Sequence, residues 1–153
     1  MIRSMLVREW MSPAETVYPD TPFQRALAQM KSKGIRCLVV VDKGRVVGII
    51  TSGDIRHAMP SDPVTRTLWD VNRTWQKIRV ADLMNPCVVT VGPGASVMTA
   101  VRLMRDHKIS RVVVVDHQQR LLGMLTCYDI YRMMIAISED EQARTESLMA
   151  ALA

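Results

Sequence analysis

Two residue pairs in the 153-residue chain have the types and spacing for ligand chemistry: Thr51 with Asp54, and Thr126 with Asp129. Each follows a short apolar stretch opened by glycine, Gly48-Ile49-Ile50-Thr51 and Gly123-Met124-Leu125-Thr126. The threonine is placed to close a strand and the aspartate to begin a helix. A helix start presents unpaired backbone N–H groups and a partial positive charge, which suits a phosphate. The threonine hydroxyl can add a donor to a phosphate oxygen, and the carboxylate can accept from the vicinal hydroxyls of a ribose. The same Thr-x-x-Asp spacing is also a capping box, and a single instance is more often a cap than a site. Two instances, each inside a longer matching unit, move the balance toward a ligand.

The elements that must position these pairs form one unit written twice. Val7, Met11 and Pro13 return as Val80, Met84 and Pro86, and Thr16-Val17 as Thr90-Val91. Ala26, Met30, Ile35 and Val39-Val40-Val41-Asp42 return as Ala100, Met104, Ile109 and Val113-Val114-Val115-Asp116. The pattern predicts strand–helix–strand–strand–helix in each unit. Thr16-Val17 is a short strand. Thr21, Pro22 and Gln24 then read as N-cap, first helical position and N3 of a helix whose Phe23, Ala26, Leu27 and Met30 share one face, ended by Gly34. Cys37–Val41 is a buried strand, Lys43-Gly44 a turn, Arg45–Thr51 its partner, and Asp54–Met59 a second helix. The second unit repeats the plan, with Ser96 near the helix start, His117-Gln118-Gln119 as the turn, and a longer last helix from Asp129. The units divide the chain into residues 1–60 and 80–137. A linker over 61–79 carries a helix with Val64, Leu68, Val71 and Trp75 near one face, and 138–153 is a helical extension.

Composition bounds the function. A hydrophobic content of 48 % with few aromatics and twelve methionines makes an aliphatic core, and the chain is long enough to bury one. No apolar run reaches a membrane span, and Arg3, Arg8 and Glu9 interrupt the start where a secretory segment would need an apolar run. Cys37, Cys87 and Cys127 lie far apart without metal spacing, so reduced thiols in a cytoplasmic protein are expected and no metal. The net charge of +5 favours anionic partners, but the basic residues are scattered, which makes nucleic acid an unlikely partner. His57, His107 and His117 are isolated, and Val91-Gly92-Pro93-Gly94 is too short and lacks the lysine of a phosphate-transfer loop. Neither an enzyme nor a catalytic cofactor is expected.

Two ordered units ending in Gly-h-h-Thr-x-x-Asp, where h is apolar, resemble a tandem pair of cystathionine-β-synthase (CBS) domains, a Bateman module, from about Val7 to Met134. The linker from Pro60 to Met84 is similar to that of stand-alone bacterial and archaeal CBS-pair proteins, including the acetoin-utilisation accessory type. The resemblance implies an α/β (α+β) fold of two β-α-β-β-α motifs about a pseudo-twofold axis, with two clefts that bind AMP, ADP, ATP or S-adenosylmethionine. It implies Asp54 and Asp129 as ribose ligands and Thr51 and Thr126 as phosphate ligands. It also implies that Thr16-Val17, Cys37-Leu38, Thr90-Val91 and Arg111-Val112 line the adenine pockets. Arg36, Arg56, Arg111 and Arg132 lie beside these elements as candidate phosphate partners. The chain departs from the family where it often has proline in the second strand; here Val39 and Val113 stand. Tyr128, opposite Gly53 in the repeat, is placed to stack on a base or to fill its cleft. The function implied is a regulatory sensor of adenosine nucleotides, a homodimer built on helices rich in methionine (Met98–Met104, Met133-Met134), acting on an unidentified protein target. The alternative is an interaction scaffold without a ligand site.

Overall fold

The β-branched runs of the two units pair into two sheets of three strands each. The computed structural model describes residues 5–65, 67 and 74–153. In the first sheet β1 (Thr16–Val17) runs parallel to β2 (Cys37–Asp42), which pairs antiparallel with β3 (Arg45–Thr51). In the second, β4 (Thr90–Val91), β5 (Arg111–Val115) and β6 (Leu121–Thr126) repeat that order and sense. Helices α2 (Phe23–Lys33) and α5 (Val97–His107) fill the β1–β2 and β4–β5 crossovers, and α3 (Ser52–Ala58) and α6 (Cys127–Leu152) follow the last strands. Two short helices, α1 (Val7–Trp10) and α4 (Val80–Leu83), precede the units, and Thr74–Lys77 is a 3-10 turn. The linker residues Leu68 and Val71 lie outside the described residues, as does the side chain of Trp75, and Val64 is exposed.

Three apolar clusters hold these layers. Leu38, Val40 and Ile50 pack under Phe23, Ala26, Met30 and Ile55 in the first; Val112, Val114 and Leu125 pack with Val97, Ala100, Met104 and Met133 in the second. The third joins the two sheets through Cys37, Val39, Val113, Val115 and Met124. Burying each large aliphatic side chain contributes about 1.5–3 kcal/mol.

The leading helices cross over. Val7 of α1 is fully buried in the second cluster, and the backbone N–H of Val7 donates to Ala95 O at 2.9 Å. Val80 of α4 is fully buried in the first, and its N–H donates to Thr21 O at 2.8 Å. The sequence halves are therefore not the packing halves. The crossing also changes how α2 begins. The helix starts at Phe23 with Pro22 as its cap and no side-chain cap from Thr21; the Phe23 N–H donates to Ile78 O at 3.2 Å instead. The chain arriving before α4 satisfies a donor that the sequence pattern assigns to threonine.

The same crossing explains two glycines. A Cβ on Gly48 would stand 2.5 Å from Met84 Sδ, and one on Gly123 would stand 2.8 Å from Ser12 O. Both lie at bulges, where the partner of the next β2 or β5 residue jumps from Gly48 to Val46 and from Gly123 to Leu121. The tight turn at Lys43 and Gly44 has positive φ at both residues, as a two-residue hairpin needs.

Candidate functional site

The helices expected to begin at Asp54 and Asp129 begin two residues earlier, because each aspartate is the third residue of a capping box. Thr51 is extended at φ −115° and ψ 162°, and its Oγ1 accepts from the Asp54 N–H at 3.2 Å. Asp54 Oδ2 accepts from the Thr51 N–H at 2.8 Å and from its hydroxyl at 2.9 Å. Thr126 and Asp129 make the same three bonds at 3.3, 2.9 and 2.8 Å. Each threonine hydroxyl thus has its one proton on the aspartate, so donating to a phosphate requires it to rotate away. Each aspartate keeps its Oδ1 outside the cap.

At the first pair a cleft of about 310 Å³ opens, within the usual range for small-molecule sites. Its apolar wall is Ile49, Val88, Val89, Ile109 and Val113; its polar groups are Thr51, Asp54, Asn85, Cys87 and Ser110; its cations are Lys108 and Arg111. Asp54 Oδ1 has no donor among the described residues, and neither Lys108 nor Arg111 has a carboxylate partner among them. Lys108 caps α5 in the left-handed conformation, which sets it at the rim where β5 begins. Arg111 hydrogen-bonds the Cys37 thiol. Burial, the largest influence, raises the Cys37 pKa above its ordinary value; the charge and hydrogen bond of Arg111 oppose this and the nearby Asp54 carboxylate adds to it.

The second pair is set differently. Ser12 Oγ donates to Asp129 Oδ1 at 2.6 Å, Arg132 approaches the same oxygen at 3.7 Å, and Asp129 is only 2 % exposed. Tyr128, beside this pair, is 70 % exposed.

Of the residues singled out by the sequence, Thr51, Asp54 and Arg111 meet in one cleft, and Thr126, Asp129 and Arg132 meet at the second junction. Val17, Leu38, Val91 and Val112 point into the two unit cores. Cys37 lies between the sheets, beside the first cleft through Arg111. Thr16 is exposed and Thr90 half-buried on the short strands, and Arg36 and Arg56 are exposed. Asn85, Val88, Val89, Lys108 and Ser110 were missed. The readable signal for them was the repeat itself: they belong to the second unit, Asn85, Val88 and Val89 following the crossing helix α4, and Lys108 and Ser110 leading into β5, whose sheet packs on the first.

A family model described as CBS domain matches residues 7–61 and again 80–136. The chain belongs to the CBS-domain family. A CBS domain-containing protein of Dictyostelium discoideum is 31 % identical over 137 residues, covering 88 % of this chain and 94 % of that one. The chain spans only 21 % to 33 % of the length of several other curated relatives it matches. Among solved structures, the CBS pair is similar to CBSX2 of Arabidopsis thaliana in complex with AMP, at a TM-score of 0.73 and 27 % identity over 87 % of this chain and 98 % of that one. It is also similar to the CBS domain pair of protein MJ0100 in complex with 5′-methylthioadenosine and S-adenosyl-L-methionine, at a TM-score of 0.69 and 28 % identity over 86 % and 96 % of the two chains. Among the described residues there is no helix long and apolar enough to cross a membrane, and no group of three or more His, Cys, Asp or Glu able to hold a metal ion.

Proposed function

We propose that this CBS pair is a regulatory module that takes an adenosine nucleotide in the cleft between Asp54 and Arg111. The observation that carries the reading is the chemical gradient of that cleft: an apolar wall and, among the described residues, an aspartate oxygen with no protein donor and two cations without carboxylate partners. A purine fits the wall formed by Ile49, Val88, Val89 and Val113. The ribose hydroxyls donate to Asp54 Oδ1, and the phosphates lie toward Lys108 and Arg111, with the α3 N-terminus adding its dipole. The similarity to CBS pairs crystallised with AMP or with sulfur-containing adenosine compounds supports the ligand class, and the choice among AMP, ADP, ATP and S-adenosylmethionine is left to measurement. Catalysis has no part in this reading.

A ligand held by both units changes the balance between their arrangements by its differential affinity, and a protein target reads the result. We place the protein in the cytoplasm as a homodimer whose contact is made by α5 and α6. Met104 and Met133 are committed to the core, while Met98 and Met134 remain 53 % and 60 % exposed on those helices.

The test is thermal unfolding with each adenosine compound at millimolar concentration beside guanosine analogues. A ligand at 100 times its Kd adds about 2.7 kcal/mol, which raises Tm by about 5–10 °C for a chain of this size. Asp54→Ala is expected to remove that rise while costing the free protein about 1 kcal/mol through the lost cap. The reciprocal capping bonds favour a second reading, an interaction scaffold in which Thr51 and Asp54 serve α3 alone. An unchanged Tm with every compound would select it.

A further inference from the structure

The two strand–helix junctions share the Thr–Asp pair but differ in the residue that the crossing segment lays beside it. Ser12 is tied to β6 by two backbone bonds, from its N–H to Met124 O and from the Met124 N–H to Ser12 O, both 2.9 Å. Asn85 is tied to β3 in the same way, from its N–H to Ile49 O at 2.8 Å and from the Ile49 N–H to Asn85 O at 3.0 Å. Ser12 and Asn85 therefore occupy equivalent places. Their side chains do opposite things. The Ser12 hydroxyl donates to Asp129 Oδ1 at 2.6 Å, whereas Asn85 Oδ1 turns back to accept from the Cys87 N–H at 2.9 Å. Asp129 thus has a donor on each oxygen and is 2 % exposed, while Asp54 Oδ1 has no donor among the described residues and lines an open cavity.

We propose that Ser12 is a built-in occupant of the second cleft: its hydroxyl holds, on Asp129, the position that a sugar hydroxyl takes on Asp54. The inference rests on the nucleotide reading above and adds that the chain binds one nucleotide, not two. A diol arriving at Asp129 must break a short hydrogen bond to a carboxylate, a stronger kind than one between neutral groups. It must also displace the hydroxyl of a residue whose backbone is anchored to β6. At the first cleft the corresponding Asn85 amide turns its oxygen to the Cys87 N–H and makes no bond to Asp54 among the described residues, so a diol meets a waiting acceptor. Selectivity between two clefts of one ancestry then lies in Ser12 against Asn85.

Calorimetric titration of the full chain with AMP tests this. The expected stoichiometry is one per chain, rising toward two in Ser12→Ala, with Ser12→Thr restoring one because it keeps the hydroxyl. Asn85→Ser, which puts a hydroxyl beside Asp54, is expected to weaken the first site tenfold or more. Two equal sites in the natural chain, or a stoichiometry fixed at one in Ser12→Ala, would overturn the proposal. A chain that binds no AMP in any of these variants would count against the nucleotide reading, and the lock is then judged by itself. Ser12→Ala and Asp129→Asn are combined and their effects on chemical unfolding compared; a non-additive cycle supports the Ser12–Asp129 lock and strict additivity overturns it.

Discussion

Asp54 and Asp129 each give one oxygen to a structural duty and differ in what meets the other. Oδ2 closes the helix cap at both sites, and only Oδ1 distinguishes them. A cap and a ligand site therefore do not compete for the same atom, and a sequence pattern explained by one does not exclude the other. Cys37 and Cys87 give a second residue-scale contrast, since Cys37 is buried between the sheets and Cys87 is exposed on the cleft. The thiolate is the reactive form, and the Cys37 pKa is raised by burial. Iodoacetamide at pH 8 is expected to modify Cys87 quickly and Cys37 only after unfolding; equal rates would contradict this placement. A raised thiol pKa means that the folded state keeps its proton longer than the unfolded one. The contribution of Cys37 to stability is therefore full below its ordinary value of 9.0 and is lost as pH climbs past it. At this scale the sequence discloses Thr51, Asp54 and Arg111. It hides Asn85, placed by the chain crossing, and Lys108, placed by the packing of the two sheets, neither of which a local pattern encodes.

Among elements, the strands and the crossover helices were readable because their composition and punctuation are local: an apolar run and the Lys43-Gly44 turn for β2 and β3, a shared face for α2, glycine at its end. What was not readable is the start of α2, where Ile78 supplies the acceptor expected of Thr21. A partner 55 positions away in the chain leaves no trace in a capping motif. The motif glycines are a related case. Gly123 lacks room for a side chain because Ser12 O lies over it, and that contact involves backbone on both sides. Gly123→Ala is expected to destabilise the fold by about 1–3 kcal/mol, as overpacking does, and to lower Tm by several degrees. A Tm unchanged within a degree would show that the crossing segment can give way. Beyond Met133, α6 is exposed on every side, including Ile135, Leu148, Met149 and Leu152. Its 26 residues extend about 39 Å at 1.5 Å per residue.

For the whole molecule, the decisive feature is that each leading helix completes the other unit's core. A chain cut in the linker after residue 62 is expected to yield two pieces that stay together when co-expressed, and neither is expected to fold alone. The first piece lacks Val80, Leu83 and Met84 from its core, and the second lacks Val7, Trp10 and Met11. A cooperative melt from either piece by itself would refute this. The same cross-wiring applies to the ligand sites. The first cleft sets Thr51 and Asp54 of one unit against Lys108, Arg111 and Asn85 of the other, and the second sets Asp129 against Ser12. Neither cleft is the property of one copy of the duplicated unit. A substitution at Ser12 in the first copy alters the surroundings of Asp129 in the second, and one at Asn85 in the second alters those of Asp54 in the first. Each copy thus carries the residue that sets its twin's aspartate apart, Ser12 for Asp129 and Asn85 for Asp54.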